Sequence, residues 1–223
     1  MKGARLMKVC VVGANGQIGK QVVELLKESS EHTPIAMVRK QEQEAHFDNL
    51  GVENVLASIA DSVDKIAEAI SGSDAIVFTA GSGGHTGPDQ TLLIDLDGAV
   101  KTVEAAEKAG VNRFVMVSAL GANQREKWNE AIRPYYVAKH YADRILEQSD
   151  LTYTIVRPGG LLNEEGTGKI SIGENLTRNT IPRADVAKVI VASLSEENTY
   201  YQSFDLVSGD IPIEDALKNV KGD

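Results

Sequence analysis

Val11-Val12-Gly13-Ala14-Asn15-Gly16-Gln17-Ile18-Gly19 joins a short apolar run, Val9 to Val12, to an amphipathic one carrying Ile18, Val22, Leu25 and Leu26. Such a junction reads as a buried strand that turns through glycine into a helix with an apolar stripe. Each glycine has its own expected task. Gly13 permits the tight turn, Gly16 leaves bare backbone for an anionic ligand, and Gly19 lets the helix lie close on the strand. The helix start, at Gln17 and Ile18 beside Asn15, adds unpaired N–H groups and a partial positive charge. Strand, glycine turn and helix at the start of the chain form the context that a dinucleotide fingerprint requires. The spacing is G-x-x-G-x-x-G.

The next apolar run, Ile35-Ala36-Met37-Val38, reads as the second strand. An acidic residue is expected at its end to take the adenosine ribose hydroxyls. This chain has Arg39 followed by Lys40, with Arg39 twenty positions past Gly19. A guanidinium cannot accept from a 2′-hydroxyl but grips a 2′-phosphate through two parallel charge-assisted bonds. The pair predicts NADP(H) in preference to NAD(H), and a solvated basic pair is the plainer alternative.

Further along, strand and helix patterns alternate. β-type runs fall at Met7–Val12, Pro34–Val38, Asn54–Ala57, Ala75–Thr79, Arg113–Ser118, Thr152–Arg157 and Ser203–Val207. Helical periodicity occupies Ile18–Lys27, Val63–Ile70, Leu92–Ala109, Tyr135–Glu147, Asp185–Leu194 and Ile213–Asn219. The pattern predicts a single α/β domain, a doubly wound, mostly parallel sheet of about seven strands with helices on both faces. Met7 directly precedes the first strand, so residues 1–6 are expected to be an extension and 7–223 the domain, with a small substrate-side region at its C-terminal end.

The formal charge of −9 and the lack of a basic tract argue against nucleic acid as a partner. No apolar run approaches the roughly 20 residues of a membrane span. The segment Met1-Lys2-Gly3-Ala4-Arg5-Leu6 lacks the apolar core of a signal peptide. One cysteine, Cys10, cannot form an internal disulfide, which suits a reducing cytoplasm. His32, His46, His85 and His140 show no metal-ligand spacing. The expected partner is a small-molecule substrate. A homodimer is compatible with the sequence, which does not fix the oligomer.

In a parallel sheet, ligands sit beyond the carboxyl ends of the strands. The loop after the fourth strand, Thr79-Ala80-Gly81-Ser82-Gly83-Gly84-His85-Thr86-Gly87, suits close backbone approach to a cofactor or a flexible surface loop. The fifth strand ends on Ser118, and the sixth exits sharply through Arg157-Pro158-Gly159-Gly160, where a nicotinamide could pack on backbone. Thr79, Ala80, Gly81, Pro158 and Gly159 are therefore cofactor candidates, as are Ser58 and Ile59 after the third strand. Asp61 and Ser62 are expected to cap the helix that follows. In Pro134-Tyr135-Tyr136-Val137-Ala138-Lys139, Pro134 suits the first helical turn, and Tyr135 and Lys139 share a helical face. A neighbouring ammonium favours the phenolate and lowers its pKa, which equips a tyrosine for proton transfer at a hydroxyl or carbonyl. Tyr136 and His140 form a competing pair at the same spacing.

Gly13-x-x-Gly16-x-x-Gly19, Ser118 and Tyr135-x-x-x-Lys139, in that order, resemble the short-chain dehydrogenase/reductase superfamily, with the glycine spacing of its extended and atypical branches. The resemblance runs from about Met7 to Lys218. It includes Tyr153-Thr154-Ile155-Val156-Arg157-Pro158-Gly159-Gly160 and Arg183-Ala184-Asp185-Val186-Ala187, and is greatest to small bacterial proteins labelled NAD-dependent epimerase/dehydratase or sugar epimerase. It implies Tyr135 as acid/base, Lys139 as orienter of the nicotinamide ribose and acidifier of the phenol, and Ser118 as holder of the substrate oxygen. Asp95 stands where the superfamily has an active-site Asn. It could hold a proton-relay water or neutralise Lys139. Ser58 stands where an adenine-side aspartate is common.

Only about sixty residues follow Gly160, too few for the C-terminal subdomain with which extended epimerases hold a nucleotide-sugar. The expected function is an NADP(H)-dependent oxidoreductase acting on a small carbonyl, hydroxyl or flavin-like substrate, with epimerase chemistry as a variant. A redox sensor that binds the cofactor without turnover is the alternative.

Overall fold

In the computed structural model, which describes residues 5–84 and 86–220, strand β1 (Met7–Val12) is buried on both faces from Val9 onward. Alternate side chains of a strand point to opposite sides, and here each side has its own core. Val9 and Val11 pack with Val22 and Leu26 of α1 (Gln17–Glu28), whereas Cys10 and Val12 join the core of the other face. The chain continues through β2 (His32–Val38), α2 (Glu44–Asn49), β3 (Glu53–Leu56), α3 (Val63–Ile70) and β4 (Ala75–Phe78). A short α4 (Pro88–Gln90) passes through a π-helical stretch, Thr91–Asp97, into α5 (Gly98–Ala109). Then follow β5 (Arg113–Val117), α6 (Arg133–Glu147), β6 (Thr152–Pro158), β7 (Gly160–Leu162), β8 (Lys169–Gly173), β9 (Thr180–Pro182), α7 (Arg183–Ser193), β10 (Gln202–Ser208), β11 (Ile211–Pro212) and α8 (Ile213–Lys218).

The main sheet has nine strands in the order β11-β8-β10-β6-β5-β4-β1-β2-β3. The seven strands expected from the sequence are all present and all parallel, with Val9 opposite Pro34 of β2 on one side and Ala75 of β4 on the other. The count is larger than expected because β8 and β11 extend the edge in antiparallel fashion, and β7 and β9 form a separate parallel pair. These additions are short. Lys169-Ile170-Ser171-Ile172-Gly173 alternates polar and apolar residues, and the β7 and β9 strands have three residues each. Chain order reverses between β1 and β4, which opens the crevice where a doubly wound sheet binds ligands.

Helices α1, α7 and α8 cover one face and α3, α5 and α6 the other, through Val186, Ile190 and Leu217 on the first and Ile66, Val103 and Leu146 on the second. Burying a side chain of this size contributes about 1.5–3 kcal/mol. Truncating the fully buried Leu26 to alanine therefore costs about 2–5 kcal/mol, cavity included. Gly110 ends α5 in the left-handed conformation (φ 71°), its N–H bonded to the Ala106 and Glu107 carbonyls.

Residues 1–4 of the expected extension lie outside the described residues. Arg5 within it pairs with Asp74 at 3.0 Å, next to the start of β4. Asp185, fully buried in the first turn of α7, accepts hydrogen bonds from the Thr167 and Gly168 N–H groups and so pins the segment before β8. Among the described residues no helix is long and apolar enough to cross a membrane.

Candidate active site

The turn after β1 assigns different tasks to its three glycines. Gly13 has φ +88°, and a Cβ there would lie 2.7 Å from the Ala80 nitrogen. Thr79 locks the same turn, its hydroxyl donating to the carbonyls of Val12 (3.1 Å) and Gly13 (3.3 Å). A Cβ on Gly19 would run into the Gly13 carbonyl oxygen. Gly19 is thus a packing residue and does not line the cleft. Gly16 differs from both. Its backbone (φ −72°, ψ 166°) suits any residue, and its Cβ would meet only the Gly13 oxygen, at 3.1 Å. Internal packing gives little reason for glycine at this position, while a ligand lying against the helix start does. That start has no side-chain cap and no acidic residue in its first turn, so its N–H groups and positive dipole end face the cleft unopposed.

Two connected lobes open from this turn. The smaller, about 560 Å³, is lined by Gly13, Asn15, Arg39, Ser58 and Ile59 among others. Its Arg39 guanidinium has no hydrogen-bond or ion-pair partner among the described residues; Arg39 and Lys40 are both exposed, and Lys40 lies outside the lining. Ser62 caps α3 as expected, accepting from the Lys65 N–H. Asp61 instead turns back to accept from the Ser58 N–H at 2.9 Å, fixing the loop that carries Ser58 and Ile59. Gly16, Thr79, Ala80 and Gly81 line both lobes. The larger lobe, about 700 Å³, adds Gln17, Ile18, Asp95, Ser118, Tyr135, Lys139, Pro158 and Gly159. His85, in the loop after β4, lies outside the described residues.

Asp95 and Lys139 form the buried centre of the larger lobe, with the carboxylate 3.2 Å from Nζ and residue exposures of 1% and 4%. The ammonium also donates to the Val117 carbonyl at 3.3 Å and lies 5.7 Å from the centre of the Tyr135 ring. Asp95 Oδ2 accepts from the Ser82 N–H at 3.0 Å, which ties the glycine-rich loop to the centre. Direct pairing with Lys139 is one of the two roles open to Asp95. Burial pushes the Lys139 pKa down, but Tyr135 and Asp95 outweigh it and raise the value. The Tyr135 phenol departs from expectation: burial raises its pKa, Asp95 adds to the rise, and Lys139 offsets only part.

Ser118 lines the larger lobe. Its hydroxyl is fully buried and has no well-formed hydrogen bond. It lies near Asp143, whose ionised form it favours. Asp143 is itself held at 2.8 Å by Arg157, which also reaches Glu147 (3.3 Å) and Ser203 (3.1 Å). Sequence reasoning missed this pair. Lys139, Asp143 and Glu147 recur at intervals of four along α6, a signal that was available. Gly159 lines the cleft, but its structural need is elsewhere, since a Cβ there would collide with the Asn179 carbonyl oxygen.

Tyr136 and His140 make a packing cluster rather than a second acid/base pair. The Tyr136 ring stacks on Trp128 (centroids 6.0 Å apart), and His140 Nδ1 lies 3.0 Å from the Ala122 carbonyl. Tyr136 nonetheless borders the cleft, and its hydroxyl accepts from Arg178 at 2.7 Å. Arg178 and Arg183 both line the larger lobe; the sequence reading named Arg183 only within the family segment and neither as a site residue. No cluster of three or more His, Cys, Asp or Glu side chains among the described residues is placed to hold a metal ion.

Sheet order, glycine turn and paired lobes define a nucleotide-binding α/β protein of the Rossmann class. The sequence pattern described as NAD(P)H-binding matches residues 13–197. A Bacillus subtilis protein named uncharacterized sugar epimerase YhfK is 59% identical over 96% of this chain and its own full length. Among solved structures, a Bacillus halodurans protein classed with the NAD-dependent epimerases/dehydratases is 42% identical and superposes with a TM-score of 0.90 over 96% of this chain and 100% of that one. The Lactococcus lactis oxidoreductase ylbE is 34% identical, with a TM-score of 0.88 over 97% and 98%. The chain belongs to the NAD(P)H-binding family of atypical short-chain dehydrogenases/reductases.

Proposed function

We propose that the protein is an NADP(H)-dependent oxidoreductase that reduces a small carbonyl or flavin-like substrate, with Tyr135 as the proton donor. The observation that carries this reading is the opening of Tyr135 and Lys139 into the same cleft as the uncapped helix start behind Gly16. When bound, the nicotinamide supplies a hydride to the substrate. The chain contributes the proton, given by the Tyr135 hydroxyl to the oxygen of the reduced carbonyl. Lys139, anchored by Asp95 and the Val117 carbonyl, places a positive charge beside the phenol and the adjoining ribose position. The free Arg39 guanidinium in the smaller lobe supports a 2′-phosphate and hence NADP(H). The epimerase label of YhfK corresponds to a variant in which the same tyrosine takes the hydroxyl proton as the hydride leaves the carbon and gives it back when the hydride returns.

Tyr135→Phe tests the assignment. It keeps the ring and its packing, so NADPH affinity is retained while turnover falls about 10²–10⁴-fold. Because burial raises the phenol pKa above its ordinary value, the group stays protonated through neutral pH, and the reduction rate is expected to be flat there. Full rate in Tyr135→Phe removes the role. Two observations favour the second reading, a redox sensor without turnover: Lys139 is engaged by Asp95, and the Ser118 hydroxyl is fully buried. Tight NADPH binding with silence across quinones, flavins, aldehydes and ketones selects that reading.

A further inference from the structure

The larger lobe is more cationic than a site for a neutral carbonyl requires. Its lining carries Lys139, Arg178 and Arg183 against a single carboxylate, Asp95, which Lys139 already occupies. The rest of the chain runs the other way, with a formal charge of −9. Elsewhere Arg5, Arg133 and Arg157 are matched by carboxylates at 2.8–3.1 Å, whereas Arg39, Arg113, Arg125 and Arg144 share the lack of one among the described residues. Arg178 and Arg183 have no ion-pair partner among the described residues. Each is steered by a neutral oxygen: the Tyr136 hydroxyl at 2.7 Å from Arg178, and Asn163 Oδ1 at 2.8 Å from Arg183.

The backbone also holds both arginines in place. Gly160 N–H donates to the Asn179 carbonyl at 3.0 Å, and β7 pairs with β9, which bridges directly from the Arg178 segment to Arg183 at the head of α7. Asp205 in β10 accepts from the Leu176 N–H (3.2 Å) and the Gly121 N–H (3.3 Å), fastening the Arg178 segment to the loop after β5. Two guanidinium groups set on a tethered frame, each using one edge on a neutral partner, leave donors for a planar anion.

We infer that the substrate carries an anionic oxygen group, a carboxylate or phosphate, gripped by Arg178 and Arg183 while its reacting carbon lies by Tyr135. The inference rests on the proposed oxidoreductase reading for the position of the reacting carbon, but the anion site is testable alone. It excludes simple neutral aldehydes as preferred substrates.

The probes are 2-naphthoate, 2-naphthyl phosphate and the neutral 2-naphthamide, titrated calorimetrically into the free protein and into protein saturated with NADP⁺. At least one anion is expected to bind roughly tenfold or more tightly than the amide, and the better of the two distinguishes carboxylate from phosphate. In Arg178→Gln/Arg183→Gln that preference disappears. The single variants Arg178→Gln and Arg183→Gln each lose part of it, with circular dichroism melts reporting the fold. Equal binding of anion and amide by the parent protein, no binding of either anion, or a preference that survives the double substitution overturns the inference. NADPH binding by the parent protein is read separately. Its absence refutes the cofactor reading, while the free-protein titration still decides the anion site.

Discussion

Replacing Gly16 by valine separates the ligand-facing glycine from the structural ones. At φ −72° and ψ 166° the backbone already suits a β-branched residue, and the new Cβ meets only the Gly13 oxygen, at 3.1 Å. A shift of a few tenths of an ångström relieves that contact. The folding cost is about 1 kcal/mol, or some 2–4 °C in Tm for a chain of this size. Binding suffers far more, because the isopropyl group stands in front of the Gln17 and Ile18 N–H groups. Losing two hydrogen bonds to a charged group, at about 1.5–3 kcal/mol each, weakens NADPH by roughly 10²–10⁴-fold. Gly13→Ala gives the opposite pattern. Its positive φ costs roughly 1–2 kcal/mol and its clash with Ala80 roughly 1–3, so the melt falls by about 4 °C or more. Nucleotide fluorescence titration beside calorimetric melting reads both variants. A Gly16→Val protein that melts normally and binds NADPH with parental affinity refutes the reasoning, as does a Gly13→Ala protein as stable as the parent.

Arg39→Asp should narrow or reverse the preference for NADPH over NADH by about 1.5–3 kcal/mol, measured as a ratio of dissociation constants; equal affinities in the parent protein remove its basis. Asp95→Asn removes a charge that raises the Tyr135 pKa, so the phenol titrates at lower pH, visible as a difference ultraviolet titration against Tyr135→Phe. The same change leaves Lys139 buried without its counter-ion and costs about 3–5 kcal/mol in the melt. Cys10 is fully buried, with its thiol pushed from 9.0 to about 12. The native state therefore keeps a proton that the unfolded chain gives up, a stabilisation complete below pH 9 and lost as the pH climbs towards 12. At pH 8 a disulfide reagent should label Cys10 only at the rate of unfolding, and rapid labelling of the folded protein contradicts this.

Most of the parallel strands were readable because they are buried on two faces and written as apolar runs, as in Ala75-Ile76-Val77-Phe78, whereas the edge strand β3 has no fully buried residue. Short elements that are mostly polar were not. The α2 helix commits only Phe47 to the core, and β11 has two residues. The site divides along the same line. Gly16, Asp95, Tyr135 and Lys139 converge because each sits on an element whose pattern fixes its facing. Ser118 was placed correctly at the strand end, but its buried neighbour Asp143 belongs to another element and left no local signal. Tyr136 was expected on a different helical face from Tyr135, yet it borders the cleft because Trp128 stacks against it and Arg178 holds its hydroxyl. Arg178 and Arg183 enter through the β7–β9 pairing, whose partners are twenty residues apart and leave no local periodicity to read.

The π-helical stretch before α5 makes spacing, not only residue identity, an ingredient of the chemistry. Gly98 N–H reaches back five residues to the Leu93 carbonyl, so the helix carries a wider loop of backbone than an α-helical ladder accepts. Deleting one residue there, Leu96 for example, lets the ladder close at four. Everything before the deletion then turns by about 100° about the helix axis relative to α5. Asp95 would swing out of the cleft, release Lys139 and drop its hold on the Ser82 loop. A relative one residue shorter between Asp95 and Gly98 is therefore expected to exchange a paired lysine for a free one, even where every aligned side chain is the same.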